Sequence, residues 1–306
     1  MIDIAVYIGR FQPFHKGHLE NCIQALSKAK KLIILIGSAG MGPLPNNPWS
    51  LETRADMILS TLPKELLPRV ILLPLYDSLY DQIDWEKRVK NLIQQHANPN
   101  DRKALVVFAK DDSSFYLECF PEWEQINLPM VVDAKNQCIN ATNIRAELYA
   151  HDTVSDEVVP TSVKKIILAS IKAPFYKAVK HANQVLNAYQ ATNQVLHLLV
   201  LCVNGDAMVH RCEDELGCQQ WALPMFIDQS KLCHLLQSIG ADPVKTQTKS
   251  LVSSLLKLTY EITYLKLEDA FDMPEGYQLF SKSRLMQEQF FADHRSILYQ
   301  PMNLSY

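Results

Sequence analysis

The chain has 306 residues, 48% of them hydrophobic and 21% charged, with a formal net charge of −3. That length exceeds what one hydrophobic core usually organises, so two domains are expected, and the near-neutral balance gives no electrostatic reason for nucleic acid or a membrane surface as the main partner. Seven scattered cysteines without a CxxC pair predict neither a disulfide framework nor a structural zinc site. No apolar run approaches the ~20 residues that span a bilayer and the first residues carry no leader pattern, so a cytoplasmic protein with reduced thiols is expected.

From Met1 to about His151, apolar strand-like runs alternate with amphipathic stretches, the pattern of a parallel sheet covered by helices. Strands are predicted at 2–8, 32–37, 70–75, 103–108 and 129–132, and helices at 16–30, 51–60, 84–96 and 114–120. The acidic stretch 151–160, ending in Val-Val-Pro, reads as a linker. A long helix is predicted over 161–190, then short β-rich runs at 195–203, 207–211, 220–223, 250–257 and 260–267, and a helix near 281–291. The expected architecture is an α/β Rossmann-like domain over 1–151 and a mixed α+β domain over 161–306.

The first strand runs into Gly9-Arg10-Phe11-Gln12-Pro13-Phe14-His15-Lys16-Gly17-His18. The first strand-to-helix turn of an open α/β sheet lies at the carboxyl end of the strand, where such folds bind ligands. A helix starting near Lys16 points unpaired N–H groups and the positive end of its dipole at that crevice. His15 and His18, three residues apart, share one helical face and can reach a single polyphosphate. A histidine pair that merely caps a helix is the alternative for a bare HxxH; the strand, both glycines, Arg10 and Pro13 favour a phosphate site.

Further along, Asn46-Asn47-Pro48-Trp49-Ser50-Leu51-Glu52-Thr53-Arg54 enters a helix with Ser50 as N-cap. Ile139-Asn140-Ala141-Thr142-Asn143-Ile144-Arg145 opens another, with an arginine whose planar fork suits phosphate oxygens. Each alone is compatible with an ordinary capped helix. Asp81-Gln82-Ile83-Asp84-Trp85 supplies an aromatic ring, and Lys110-Asp111-Asp112-Ser113-Ser114-Phe115-Tyr116-Leu117 is followed by Phe120-Pro121-Glu122-Trp123.

In this order the segments resemble the nucleotidylyltransferase superfamily with its (H/T)xGH signature, and GRFQPFHKGHL resembles the nicotinamide-nucleotide adenylyltransferases in particular. The lysine-led segment is similar to the branch in which that enzyme is fused to a Nudix hydrolase, although Phe108-Ala109 stands where that branch has Gly-His. The resemblance implies adenylyl transfer from ATP to nicotinamide mononucleotide, giving NAD and pyrophosphate in NAD biosynthesis. Mg²⁺ would bridge ATP oxygens, with no metal ligand from the chain. It implies His15, His18 and Arg145 as catalytic residues, and Gly9, Arg10, Phe11, Lys110, Thr142 and Ile144 beside them around ATP. Arg54, Trp85 and Asp81 would hold the mononucleotide. Nicotinate mononucleotide or another phosphorylated acceptor such as phosphopantetheine is an alternative, a non-catalytic nucleotide-binding regulator is another, and homo-oligomerisation stays open.

The likeness to the fused branch continues through Val159-Pro160-Thr161, Trp221-Ala222-Leu223-Pro224 and Phe291-Ala292-Asp293-His294-Arg295. Where a Nudix hydrolase continues with two glycines into an acidic box that gathers a divalent cation, this chain has Met225-Phe226. Between Met225 and Lys249 its only acidic residues are Asp228 and Asp242. A Nudix-like domain without hydrolytic chemistry is expected.

Overall fold

The computed structural model describes residues 1–77, 82–108, 119–212, 220–240, 246–253, 255–267, 271–288 and 290–298. It forms two compact units, residues 1–40 with 46–176 and residues 41–45 with 177–306.

The first unit contains β1 (Ile2–Gly9), α1 (Lys16–Lys28), β2 (Ala29–Ile36), α2 (Leu51–Leu59), β3 (Val70–Pro74), α3 (Gln82–Gln94), β4 (Lys103–Phe108), β5 (Glu124–Leu128), α4 (Ala141–His151) and α5 (Thr161–Ser170). All five strands pair in parallel in the order β3-β2-β1-β4-β5. The chain therefore moves outward from β1 to β3 and returns on the far side with β4, which places a switch point at the carboxyl ends of β1 and β4. Strands of such a sheet are buried on both faces, hence their near-continuous apolar runs. Ile4, Val6, Ile33 and Leu35 pack with Val89 and Ile93 of α3 on one face. On the other, the Tyr7 hydroxyl accepts from the Asn21 amide of α1 at 3.1 Å.

β2 starts at the residue after α1 ends. Arg69 makes that join possible, since its guanidinium donates to the carbonyls of Leu26, Ala29 and Lys30 at 2.5–2.9 Å and satisfies acceptors a helix end would leave open.

α6 (Pro174–Ala191) carries the chain into the second unit, which contains β6 (Val195–Val203), β7 (Asp206–Arg211), β8 (Trp221–Ala222), β9 (Met225–Phe226), α7 (Gln229–Ser238), β10 (Gln247–Val252), β11 (Thr259–Leu267), β12 (Tyr277–Phe280), α8 (Lys282–Gln287) and α9 (His294–Ile297). The sheet runs β10-β11-β6-β7-β12, with β8 on β7 and β9 on β6; β6 and β11 are parallel and the other pairs antiparallel. One face packs Leu198, Tyr260 and Ile262 with Trp221, Phe280 and Phe290. The other packs Leu199, Leu201 and Met208 with Leu232, Leu235 and Leu236 of α7. The early segment 41–45 belongs to this unit. Leu44 is buried in the Trp221 cluster, Met41 bridges Phe290, and the Gln220 amide donates to the Pro43 carbonyl at 2.9 Å.

Several sequence expectations need correction. The fifth strand is 124–128 rather than 129–132, because Pro129 has no N–H to continue the ladder with β4. The helix expected over 161–190 is two, with Pro174 opening the second. The strand expected at 250–257 ends at Val252, and α7 lies where no helix was expected. Of the helix expected over 114–120, residues 114–118 lie outside the described residues and 119–120 are not helical. No described helix is long and apolar enough to cross a membrane.

Candidate active site

The turn after β1 is close-packed. A Cβ on Gly9 would lie 2.8 Å from the Phe11 ring, so any larger residue there would have to displace that ring. Phe11 itself adopts φ +53°, which drives its side chain inward; the ring lies 5.4 Å from Tyr7 and 5.0 Å from His18 in edge-on contacts. Phe11 is thus an apolar support beneath His18.

His15 is the N-cap of α1 and His18 its third residue, and the two form a reciprocal capping box. The His15 Nδ1 accepts the His18 N–H and the His18 Nδ1 accepts the His15 N–H, both at 3.3 Å, and the rings stack with centroids 3.5 Å apart. With each Nδ1 committed as an acceptor, the neutral rings carry their protons on Nε2. Both imidazoles are therefore oriented donors at the positive end of a helix.

His15, Gly17, His18 and Asn21 line one side of a small cleft, about 30 Å³ in volume, that is open to solvent. The other side comes from the connection between β5 and α4, at Pro129, Met130, Val131, Cys138, Ile139 and Asn140. Asn140 caps α4 by accepting the Asn143 N–H at 2.9 Å. Thr142 is exposed in the first turn and accepts from Arg145 at 3.4 Å, while Ile144 is buried.

Two of the three arginines expected to hold phosphates grip the turn itself. Arg54 is fully buried; its guanidinium donates to the carbonyls of Arg10 at 2.8 Å, Gly37 at 2.6 Å, Ser38 at 3.3 Å and Ser50 at 3.2 Å. Arg145 donates to the Gln12 carbonyl at 2.6 Å. Burial lowers both guanidinium pKa values to about 10, against the pull of Asp77 at Arg54, and with Arg10 adding to the lowering at Arg145. Both stay charged at neutral pH. Arg10 is exposed beside them.

The sequence reading passed over Gln12, which is 1% exposed. Its Nε2 donates to Asn47 Oδ1 at 2.6 Å and to the Trp49 carbonyl at 2.7 Å, and its Oε1 accepts the Trp49 N–H at 3.0 Å. A neutral amide inside a motif carries no periodicity or charge signal that would single it out. Asp77 was also missed; its Oδ1 accepts the Ser38 N–H at 3.3 Å, and burial raises its carboxyl pKa although Ser38, Arg10 and Arg54 pull it down.

The structure brings together Gly9, Arg10, Phe11, His15, His18, Arg54, Thr142 and Arg145 around one turn, with Ile144 buried on α4 next to Arg145 in the chain. Trp85 is half-buried on α3, packed against the cluster that contains Ile4, Ile8 and Leu75, with its ring 6.1 Å from Phe120. Asp81 and Lys110 lie outside the described residues.

Comparison with known proteins agrees with this geometry. Residues 6–166 match the family model described as cytidylyltransferase-like. The chain is 31% identical over 178 residues to the nicotinamide/nicotinic acid mononucleotide adenylyltransferase of Acinetobacter baylyi, covering 58% of this chain and 92% of that one. It is 31% identical over 166 residues to the nicotinamide-nucleotide adenylyltransferase of Saccharolobus solfataricus, covering 53% and 88%. Over 99% of both chains it superposes, with a TM-score of 0.81 and 25% identity, on a Francisella tularensis bifunctional NMN adenylyltransferase/ADP ribose pyrophosphatase complexed with AMP and Mn ion. The chain thus belongs to the cytidylyltransferase-like family and is a nucleotidyltransferase related to the nicotinamide-nucleotide adenylyltransferases.

Proposed function

We propose that the chain joins the adenylyl group of ATP to nicotinamide mononucleotide, forming NAD and pyrophosphate. The observation that carries this reading is the His15–His18 pair, two oriented imidazole donors at the N-terminus of α1 and at the carboxyl end of β1. A 5′-phosphate oxygen of the mononucleotide attacks the α-phosphorus of ATP in line. The bond from that phosphorus to the β-bridging oxygen breaks, and pyrophosphate leaves with the electron pair. The attacking phosphate is already anionic, so no general base is needed.

Catalysis then consists of placing two anions together and stabilising charge that builds on the leaving oxygens. His18 and His15 donate from Nε2 to the triphosphate, helped by the helix dipole. Arg10 neutralises phosphate oxygens from its exposed position, and Arg145 adds fixed positive charge behind it. Arg54, spent on four carbonyls, acts by shaping the turn. The donors at this site are imidazole and guanidinium groups, which suit phosphate oxygens and not a hard cation, so the divalent ion enters as part of the magnesium–ATP substrate. Among the described residues no three His, Cys, Asp or Glu side chains converge on a point.

For the second unit we propose no pyrophosphatase activity. α7, which follows the Trp221–Pro224 stretch, carries no Asp or Glu, and its N-cap Asp228 is engaged with the Ser230 N–H at 2.8 Å.

The test is incubation of the purified protein with magnesium–ATP and nicotinamide mononucleotide, with nicotinate mononucleotide and phosphopantetheine in parallel, followed by chromatography for dinucleotide and pyrophosphate. Stoichiometric NAD and pyrophosphate are expected from the first mixture; their absence there would overturn the assignment.

A further inference from the structure

We propose that Gln12 is a positioning residue that couples the two substrate halves of the site, setting the 46–50 segment with its side chain and Arg145 with its carbonyl. The inference rests on the adenylyl-transfer reading, with ATP by His15, His18 and Arg145 and, as the family resemblance implies for Arg54, the mononucleotide by the segment that leads into α2.

Every polar atom of Gln12 that the geometry can engage from these two directions is engaged. The amide spends both its protons, on Asn47 Oδ1 and the Trp49 carbonyl, and its oxygen takes the Trp49 N–H. A flipped amide would set its NH₂ against the Trp49 N–H and its oxygen against two acceptors, so only one orientation is consistent. The main-chain oxygen of the same residue holds Arg145 at 2.6 Å across 133 positions of sequence. From Trp49 the chain passes into Ser50, the cap of α2, and Arg54 returns from that helix to the Arg10 carbonyl. Residues 10–12 are thereby gripped from α2 through Arg54, from the 46–50 segment through the Gln12 amide, and from α4 through Arg145. A displacement of the 46–50 segment must pull on the residue whose carbonyl fixes Arg145. Buried hydrogen bonds made by an amide whose protons and oxygen are all engaged hold position in this way, because breaking them leaves polar groups unpaired in the interior.

The decisive variants are Gln12→Met, which keeps the volume and removes the amide, and Gln12→Glu, which keeps the acceptor for the Trp49 N–H but turns an anion toward Asn47 Oδ1 and the Trp49 carbonyl. In each, the KM for nicotinamide mononucleotide is expected to rise by about tenfold or more, while the KM for ATP moves less. Amide exchange at Trp49, measured by mass spectrometry on the peptide containing it, should speed up. A milder pair covers the case in which the first two variants do not fold: Asn47→Ala should reproduce the KM split, and Asn47→Asp, which keeps the acceptor facing Gln12, should stay near wild type. If wild-type protein makes NAD but folded Gln12 or Asn47→Ala variants lower only the melting temperature, or change both KM values equally, the coupling is refuted. If wild-type protein makes no NAD, the adenylyl-transfer reading fails instead.

Discussion

The imidazoles of His15 and His18 stack at 3.5 Å while each Nδ1 accepts the other's backbone N–H. One pair of side chains therefore starts the helix and orients the donors, and the two tasks can be separated by substitution. His15→Ala should cost about 1 kcal/mol of stability through the lost cap as well as turnover, whereas His15→Asn should restore the cap without the Nε2 donor. His18→Ala should lower turnover by about 10²–10³ in a protein with an unchanged circular dichroism spectrum. Full turnover in a folded His18→Ala variant would remove the imidazole from the mechanism.

Arg54 should prove more important for stability than its charge suggests. A lysine at this place keeps the charge but cannot reach four carbonyls at once, and carbonyls left unpaired in the interior cost free energy. Arg54→Lys is expected to lose about 3 kcal/mol in urea denaturation, whereas Arg10→Lys, at an exposed position, should leave the denaturation midpoint almost unmoved.

Asp77 gives a pH signature. Burial raises its folded pKa above the ordinary aspartate range, so in the window between the unfolded and folded values the folded chain binds more protons than the unfolded one. Stability contributed by the neutral carboxyl is full at acid pH and falls as pH rises through the folded value. Asp77→Asn removes this titration. Its denaturation midpoint relative to wild type should therefore rise from pH 4 to pH 7; a constant difference would show that the carboxyl does not titrate anomalously.

The second unit should leave ADP-ribose intact. Incubation with Mg²⁺ or Mn²⁺ and detection of released ribose 5-phosphate and AMP is expected to give only background. Appreciable release would mean that carboxylates other than Asp228 supply the chemistry.

Much of the first unit is legible in the sequence because its strands are covered on both faces and read as unbroken apolar runs, as in Ile2–Ile8 and Leu32–Ile36. The fifth strand misleads for the opposite reason. Glu124-Gln125-Ile126-Asn127-Leu128 is an edge strand, half polar, while the neighbouring Met130-Val131-Val132 is apolar yet Pro129 keeps it out of the ladder. At the site, the sequence points to His15 and His18 as a pair but not to how the arginines are spent. Nothing in the spacing of Arg54 says that its donors end on main-chain oxygens instead of facing solvent. Gln12 was harder still, because its partners lie 35, 37 and 133 positions away. α7 was readable in principle from Leu232, Leu235 and Leu236, three apolar residues at helical spacing hidden among β-rich neighbours.

The early residues Met41–Pro45 complete the core of the later unit, so the gene cannot be divided into two self-sufficient halves at any one codon. A fragment beginning at residue 177 would lack Leu44 and expose the apolar surface around Trp221 and Phe290 that Leu44 covers; a fragment ending at 176 would carry a five-residue stretch stripped of its partners. A cut at residue 176 would thus open the later unit's core rather than release that unit intact.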